Sequence, residues 1–154
     1  MEVTELQAVV QAERDRLIEG FEYEQWANGL WSPVVPHLGA AGKEVWEHML
    51  IVQVIWYRRA LNHDELPDLP SDTSAALHMV GTMWIDLIRT SDPTAYVSYT
   101  NSKGESYFDL LGDLARHVVN HGTYHRGQLR ALAGAAGVEF PETDFTLWKH
   151  QKNK

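Results

Sequence analysis

Three histidines recur at four-residue spacing in the most strongly patterned stretch of this 154-residue chain. They are His117, His121 and His125, and the pattern continues Arg-Gly-Gln128 within a stretch from Ser106 to Gly137. Side chains four residues apart lie on one face of an α-helix, and neutral imidazole is the commonest protein ligand for a metal ion. The stretch therefore predicts either a metal-binding helix or a helix with an unusual number of buried histidines.

The helical phase separates the three histidines. At about 100° per residue, we place Leu114 and Leu132 at the centre of the apolar stripe, and His121 and His125 then lie about 20° to either side of it. His117 lies about 60° away, at the edge of the stripe. Three ligands spread over about 12 Å of helix cannot all reach one ion at about 2.1 Å. The helix is therefore predicted to supply His121 and His125 as ligands, with His117 as a polar edge residue or a hydrogen-bonding support.

A buried histidine is usually a core residue with a hydrogen-bond partner. Two histidines at the centre of one stripe are harder to explain in this way, because burying polar groups without partners costs a few kcal/mol. The pattern of this helix alone leaves the core interpretation and the metal interpretation open. A third ligand elsewhere in the chain would favour the metal.

The candidate third ligand is His48, in a helix predicted over Lys43–Leu61. Considered alone, His48 is more readily explained as a core histidine. Beside His121 and His125 it becomes the natural third ligand, because four-helix bundles build metal sites from inward-facing side chains on neighbouring helices. By phase, His48 lies within the apolar stripe of its helix, which is formed by Val45, Met49, Val52 and Trp56.

Composition excludes several classes of function. The net charge of −8 argues against a protein built to hold nucleic acid phosphates. No apolar run reaches the length of a membrane span, and the charged N-terminus is unlike a signal peptide. The chain has no cysteine, so any metal must be held by His, Asp or Glu. These features predict a cytoplasmic protein that binds neither nucleic acid nor membrane.

The remaining pattern predicts helices separated by clear breaks. Residues 4–19 form an N-terminal helical extension, and Phe21–His37 continues with its last turns disturbed by prolines. A loop is expected at 39–42 and another at 62–72, where Pro and Asp are frequent. A further helix is predicted over Thr73–Thr90.

The last third of the chain is expected to contain a small hairpin and a long helix. The hairpin spans Tyr96–Ser106, with Ser106 as the N-cap of the helix and Asp109 as its capping partner. The helix ends near Gly134–Gly137, and the tail is irregular, with Phe145 and Trp148 docked on the bundle. The fold class is therefore all-α: one domain, residues 1–154, forming a four-helix bundle with an N-terminal helical extension and a small hairpin. Periodicity does not give the topology.

The stretch His121-Gly-Thr-Tyr-His-Arg-Gly-Gln128 resembles the His-x-x-x-His-Arg-Gly-Gln signature of the DinB/YfiT-like metalloproteins. Weaker likenesses extend from about Tyr23 onward: Tyr23-Glu-Gln-Trp-Ala-Asn28 is similar to the first-helix pattern of that family, His48 with Trp56 to its second helix, and Phe140-Pro-Glu-Thr-Asp144 to its closing segment.

This resemblance implies a four-helix bundle that holds one divalent ion through His48, His121 and His125. The ion is Zn, Ni, Fe, Co or Mn, since His-only sites accept all of them. It also implies a homodimer and a small-molecule substrate, because characterised members include transferases and isomerases that use low-molecular-weight thiols such as bacillithiol, mycothiol or glutathione.

Two hypotheses of function follow. The first is a metal-dependent enzyme, of the thiol transferase or hydrolase type, that activates a small thiol or water. The second is a non-catalytic metal-binding or stress-response bundle whose metal is structural or vestigial. An open position over the metal favours the enzyme, and a closed one favours the second. Gln128 is placed to support a ligand, whereas Arg126 points towards a neighbouring helix, a partner chain or solvent.

Overall fold

The structure, a computed structural model, describes residues 2–154. It is an all-α fold with one small antiparallel hairpin, which confirms the predicted fold class. The elements in chain order are α1 Val3–Trp31, α2 Gly39–Leu61, α3 Thr73–Thr90, β1 Tyr96–Thr100, β2 Ser106–Leu110, α4 Leu111–Ala136 and α5 Phe145–Lys152. No helix in the described part of the chain is both long and apolar enough to span a bilayer.

The four long helices pack in the order α1, α3, α2, α4 around the bundle. Helices α1 and α2 each pack mainly against α3 and α4. Large aromatic side chains fill the interior: Phe21 stacks on Trp84 with ring centroids 5.3 Å apart, and Trp31 and Trp46 are buried in a second cluster. This arrangement brings α2 and α4 side by side, which places their histidines on neighbouring helices.

Helix α1 is continuous where two helical segments were predicted. Gly20 lies in its middle and packs against α4, where an added Cβ would be 3.5 Å from Val119. The helix ends at Trp31, and a 3₁₀ turn at Val35–Leu38 follows, as the prolines indicated. The predicted N-terminal extension is the first part of this same helix. It contacts the bundle from Glu13 and Arg14 onward, and only its first turns project.

The predicted loop at 39–42 is wrong, because α2 begins at Gly39. Gly39 adopts φ 67°, a conformation that glycine tolerates and that redirects the chain into the helix. Gly42 is buried against Leu38, where a Cβ would overlap the Leu38 side chain. Both glycines therefore serve this tight entry, although glycine-rich sequence alone indicates a loop.

The last helix begins later than predicted. β2 continues through Leu110 with Tyr96 paired to Leu110, so Ser106 is a strand residue and not an N-cap. Asp109 accepts a hydrogen bond from Tyr99 Oη at 2.6 Å and caps nothing. The hairpin itself is confirmed, and it is longer than expected because cross-strand pairing extends the second strand at the expense of the helix.

The tail is ordered as α5, and the prediction of an irregular segment is wrong. Its docking is as predicted: Phe145 stacks on Tyr23 with centroids 5.3 Å apart, and Trp148 is buried 5.9 Å from the same ring. The Tyr23 hydroxyl also donates to the Thr143 carbonyl. Contacts with α1 thus hold the short helix in place, and short helices need such packing to be stable.

Candidate metal centre

Three histidine side chains converge at the seam between α2 and α4. His48 comes from α2, and His121 and His125 come from α4; one ring nitrogen of each lies within 4.8 Å of the others. The ring centroids of His121 and His125 are 4.2 Å apart, and that of His48 is 5.1 and 4.6 Å from them. The fold therefore brings together the three residues that the sequence singled out.

His117 does not join this cluster. Its exposed ring lies 6.1 Å from that of His121 and packs edge-on against Trp56, with centroids 4.8 Å apart. Glu13, another charged residue in an apolar pattern, pairs instead with Arg116. Among the described residues, the three-histidine group is the one place where three or more such side chains converge closely enough for one metal ion.

The cluster lies at the edge of the apolar interior and not at its centre. His48 is exposed, His121 is half-buried and His125 is buried at 9% exposure. His48 was predicted within the apolar stripe of α2, but the buried residues of that helix, including Met49 and Gln53, lie about 100° or more from it. The site therefore faces solvent on the α2 side.

The phase of α4 also requires correction. Its buried face contains Ala115, Gly122, Arg126 and Ala133, none of which reads as an apolar anchor in the sequence. Including them shifts the centre of the buried stripe by about 60° from Leu114. The shift explains why exposure increases from His125 through His121 to His117.

A hydrogen bond orients His125. Gln128 Oε1 accepts from His125 Nδ1 at 2.6 Å, which assigns the proton to Nδ1 and leaves Nε2 with a lone pair. That Nε2 lies 2.9 Å from His121 Nε2. Gln128 thus performs the supporting role suggested by its phase, because outer hydrogen bonds of this kind fix the tautomer of metal-ligating histidines.

The donor set fits one divalent ion. Two nitrogens bound at about 2.1 Å in tetrahedral geometry lie about 3.4 Å apart. The separation of 2.9 Å between His121 and His125 is close to that value. His48 is exposed, so its side chain can rotate inward to reach the same distance.

His121 is held in the neutral form that a metal ligand needs. Burial, together with the neighbouring imidazoles of His125, His48 and His117, lowers its pKa to about 4. Protons therefore compete weakly for this nitrogen at neutral pH. The cluster is poised to accept a cation and not to carry several positive charges itself.

Replacing Gln128 with alanine should weaken metal binding by about 10- to 100-fold, because the His125 ring loses the acceptor that fixes its tautomer. Gln128 is exposed, so the fold should be unchanged. Competition of the variant against a chelator of known affinity measures the effect. Asn120→Ala, a change at another exposed position of the same helix, is the control. Equal metal affinity of Gln128→Ala and the parent protein would show that Gln128 does not support metal binding through His125.

Arg126, next in sequence to His125, is a structural residue buried at 3% exposure. Its guanidinium lies 3.6 Å from Glu24 Oε1 and donates to Asn28 Oδ1 at 2.9 Å, both on α1. Gln53 of α2 donates to the other Glu24 oxygen at 2.8 Å. This network ties α4 to α1 and α2 directly behind the histidines, and it assigns Arg126 to the neighbouring helix among the three predicted alternatives.

Sequence reasoning missed Glu24. It lies at helical spacing from Phe21 and Asn28, within the buried face of α1, and a carboxylate in that position was the available signal. Burial raises the pKa of Glu24 to about 7, against the opposing effects of Arg126 and Gln53. Gly122 was missed for a similar reason: it leaves room on α4 for the Glu24 carboxylate, which an added Cβ would overlap.

The fold and the site define a class of helical bundle in which three histidines from two neighbouring helices form a candidate metal site. The sequence model of the DinB family matches residues 10–154, and the chain belongs to the DinB family. The match begins upstream of Tyr23, so the family pattern includes part of the projecting end of α1.

A curated relative is also similar over a short region. The chain is 47% identical over 38 residues to "Protein DinB" of Bacillus subtilis (strain 168). That segment is 25% of this chain and 22% of the relative, so the match spans about a fifth of the length of the relative. No solved structure matches the chain.

Proposed function

We propose that the chain binds one divalent metal ion through His48, His121 and His125 and is a metal-dependent enzyme that activates a small thiol or water. The observation that carries the proposal is the convergence of three imidazole nitrogens within 4.8 Å at a solvent-facing seam. Membership of the DinB family supports it. The expected reactions are those of a thiol transferase or a hydrolase.

The donor set indicates the chemistry. A divalent ion held by neutral ligands keeps its full charge, and it lowers the pKa of a thiol or water that it binds. Three His ligands do not select among Zn, Ni, Fe, Co and Mn. The protein contributes the orientation of His125 through Gln128 and the neutral state of His121.

The exposure of His48 favours the enzyme over a bundle with a purely structural metal. A structural site is closed by protein ligands, whereas a catalytic site keeps a position for substrate. Because His48 is exposed and His121 only half-buried, a small molecule can approach the three nitrogens from solvent.

Elemental analysis of protein purified without an affinity tag tests the proposal. We expect about one equivalent of a divalent metal per chain, removable by a chelator and restored by dialysis against the same ion. Thiol binding is then measured on cobalt-loaded protein, where a thiolate ligand produces a charge-transfer absorption band. Metal content near zero after reconstitution would refute metal binding, and a cobalt spectrum unaffected by thiols would refute the thiol chemistry.

We also propose that the protein is a homodimer that acts on a small molecule in the cytoplasm. The aromatic count gives little support to dimerisation, because the bundle buries four of the six tryptophans, namely Trp31, Trp46, Trp84 and Trp148. Better support comes from the projecting end of α1, where Val3, Leu6 and Val9 are each more than half exposed. An exposed apolar patch of this kind is typical of an interaction surface.

Sedimentation equilibrium at micromolar concentration should therefore give twice the chain mass. Leu6→Glu should shift the equilibrium towards the monomer, because it places a charge within the exposed apolar face. Gln7→Glu, which adds the same charge one residue away, is the matched control. A monomer mass for the parent protein would contradict the dimer and leave the metal proposal untouched.

A further inference from the structure

Two arginines end helix α2 without a carboxylate partner. Arg58 and Arg59 lie in its last turn, and neither makes an ion pair with any residue of the described part of the chain. Arg89, in the corresponding turn of α3, pairs with Asp86 at 3.0 Å. Cations near a helix C-terminus interact favourably with the helix dipole, but that role needs no particular orientation of the guanidinium.

Arg59 nevertheless has a defined orientation. Its Cζ lies 4.5 Å from the centre of the Trp56 ring and 5.4 Å from that of Tyr99, which holds the guanidinium by cation–π contacts. An arginine held by aromatic faces keeps its N–H groups for a carboxylate or phosphate, which it binds through two parallel hydrogen bonds. The Tyr99 hydroxyl donates to Asp109 at 2.6 Å, which orients its ring beside the guanidinium.

A cavity of about 390 Å³ opens beside the two arginines. Arg58, Arg59, His63 and Tyr99 contribute to its lining, together with the carboxylate of Asp64. Asp64 lies beyond ion-pair distance of both arginines. The lining therefore carries more positive than negative side chains, in a protein whose net charge is −8.

The cavity and the histidine cluster lie along the same helix, α2. Arg59 follows His48 by eleven residues, which places it about 16 Å further along α2 and within about 20° of the same face. Trp56 lies between the two ends of this face, because its ring is close to both the Arg59 guanidinium and the His117 ring. The exposed Ile55 adds an apolar section between them.

We propose that Arg59, assisted by Arg58, binds an anionic group of an elongated small-molecule substrate whose other end reaches the histidine cluster. The substrate class is a molecule with a carboxylate or phosphate at the end opposite its metal-binding group. The anion site is inferred from the two arginines, the Trp56 and Tyr99 rings and the cavity. Its assignment to the substrate rests on the proposed function. Arg59 is thus a specificity-determining residue.

The anion site is tested first on metal-free protein, so that its outcome does not depend on the histidines. Inorganic phosphate and succinate are titrated at constant ionic strength while NMR follows the Arg59 side-chain N–H and the amides of residues 58–64. We expect saturable shifts in the parent protein and affinity lowered about tenfold in Arg59→Gln, the effect of losing a charge-assisted hydrogen bond. Arg89→Gln is the matched control, since it removes an exposed arginine from the end of α3.

The two anions distinguish which anionic group the site accepts. Saturable shifts with phosphate alone indicate a phosphate, and saturable shifts with succinate alone indicate a carboxylate. The absence of saturable shifts with either anion, or equal shifts in Arg59→Gln, would contradict the proposed anion site. Arg59 would then serve only to interact with the dipole of α2. Circular dichroism of Arg59→Gln verifies that the bundle is intact.

The link to the substrate is tested on cobalt-loaded protein with two thiols. Glutathione carries carboxylates, and 2-mercaptoethanol is short and uncharged. Arg59→Gln should weaken glutathione binding about tenfold and leave 2-mercaptoethanol unchanged. Equal effects on both thiols would separate the anion site from the substrate. If the protein binds no cobalt but the phosphate or succinate shifts remain, the proposed function fails while the anion site stands.

Discussion

Gly122→Ala is expected to destabilise the bundle strongly. A Cβ at position 122 would overlap Glu24 Oε1, and it would lie 3.0 Å from Glu24 Cδ and 3.1 Å from Arg126 Nη1. Glu24 cannot withdraw at low cost, because it is buried and bonded to Gln53 as well as paired with Arg126. Disrupting a buried ion pair of this kind costs about 3–5 kcal/mol.

The expected loss exceeds any gain in helix propensity, which is about 1 kcal/mol for replacing glycine with alanine. The unfolding temperature should therefore fall by about 10 °C, given about 3 °C per kcal/mol for a chain of this size. Thermal unfolding followed by circular dichroism measures it.

Gly127→Ala is the matched control for this change. Gly127 lies in the same helix, and nothing lies within 4 Å of an added Cβ there. Its replacement should raise stability by up to about 1 kcal/mol. Equal unfolding temperatures for Gly122→Ala and the parent protein would mean that the Glu24 carboxylate moves aside without cost, and the buried network would lose its structural role.

The second large effect is expected at the histidines. His48→Ala, His121→Ala and His125→Ala should each lower metal affinity by more than about 100-fold, since even a supporting hydrogen bond is worth 10- to 100-fold. His117→Ala should change affinity by no more than about tenfold, because its ring packs on Trp56 outside the cluster. Metal content after dialysis against a weak chelator compares the four variants.

His48→Ala is the most informative of these variants. His48 is exposed, so its removal should leave the metal-free bundle as stable as the parent, whereas His125 is buried and bonded to Gln128. Metal binding should also weaken as the pH falls towards about 4, where His121 gains a proton, since imidazole ligates only when neutral. If His117→Ala empties the site while His125→Ala keeps it, the ligand pair is shifted by one turn. If all four variants keep their metal, the histidines are not its ligands.

Sequence alone determined the features that depend on local signals. Helix α3 spans Thr73–Thr90 as predicted, because Asp72 caps it by accepting from the Ala75 N–H. The long helix ends in the predicted region, because Gly137 takes the left-handed conformation, φ 67°. The spacing of His121 and His125 on one helix is likewise local, and it directed attention to His48 as the third residue of the cluster.

Tertiary structure decided what depends on residues far apart in the chain. The order of helices around the bundle, the exposure of His48 and the start of α4 after a paired strand all follow from packing. So does the role of Arg126, whose hydrogen-bond partner Asn28 is 98 residues away. Helical phase identifies which side chains share a face, but it cannot distinguish a buried charge with a partner from a solvated one. That distinction depends on Glu24, Arg126 and Gly122 meeting in space, where the ion pair and the room left by glycine exist only once α1 and α4 have packed together.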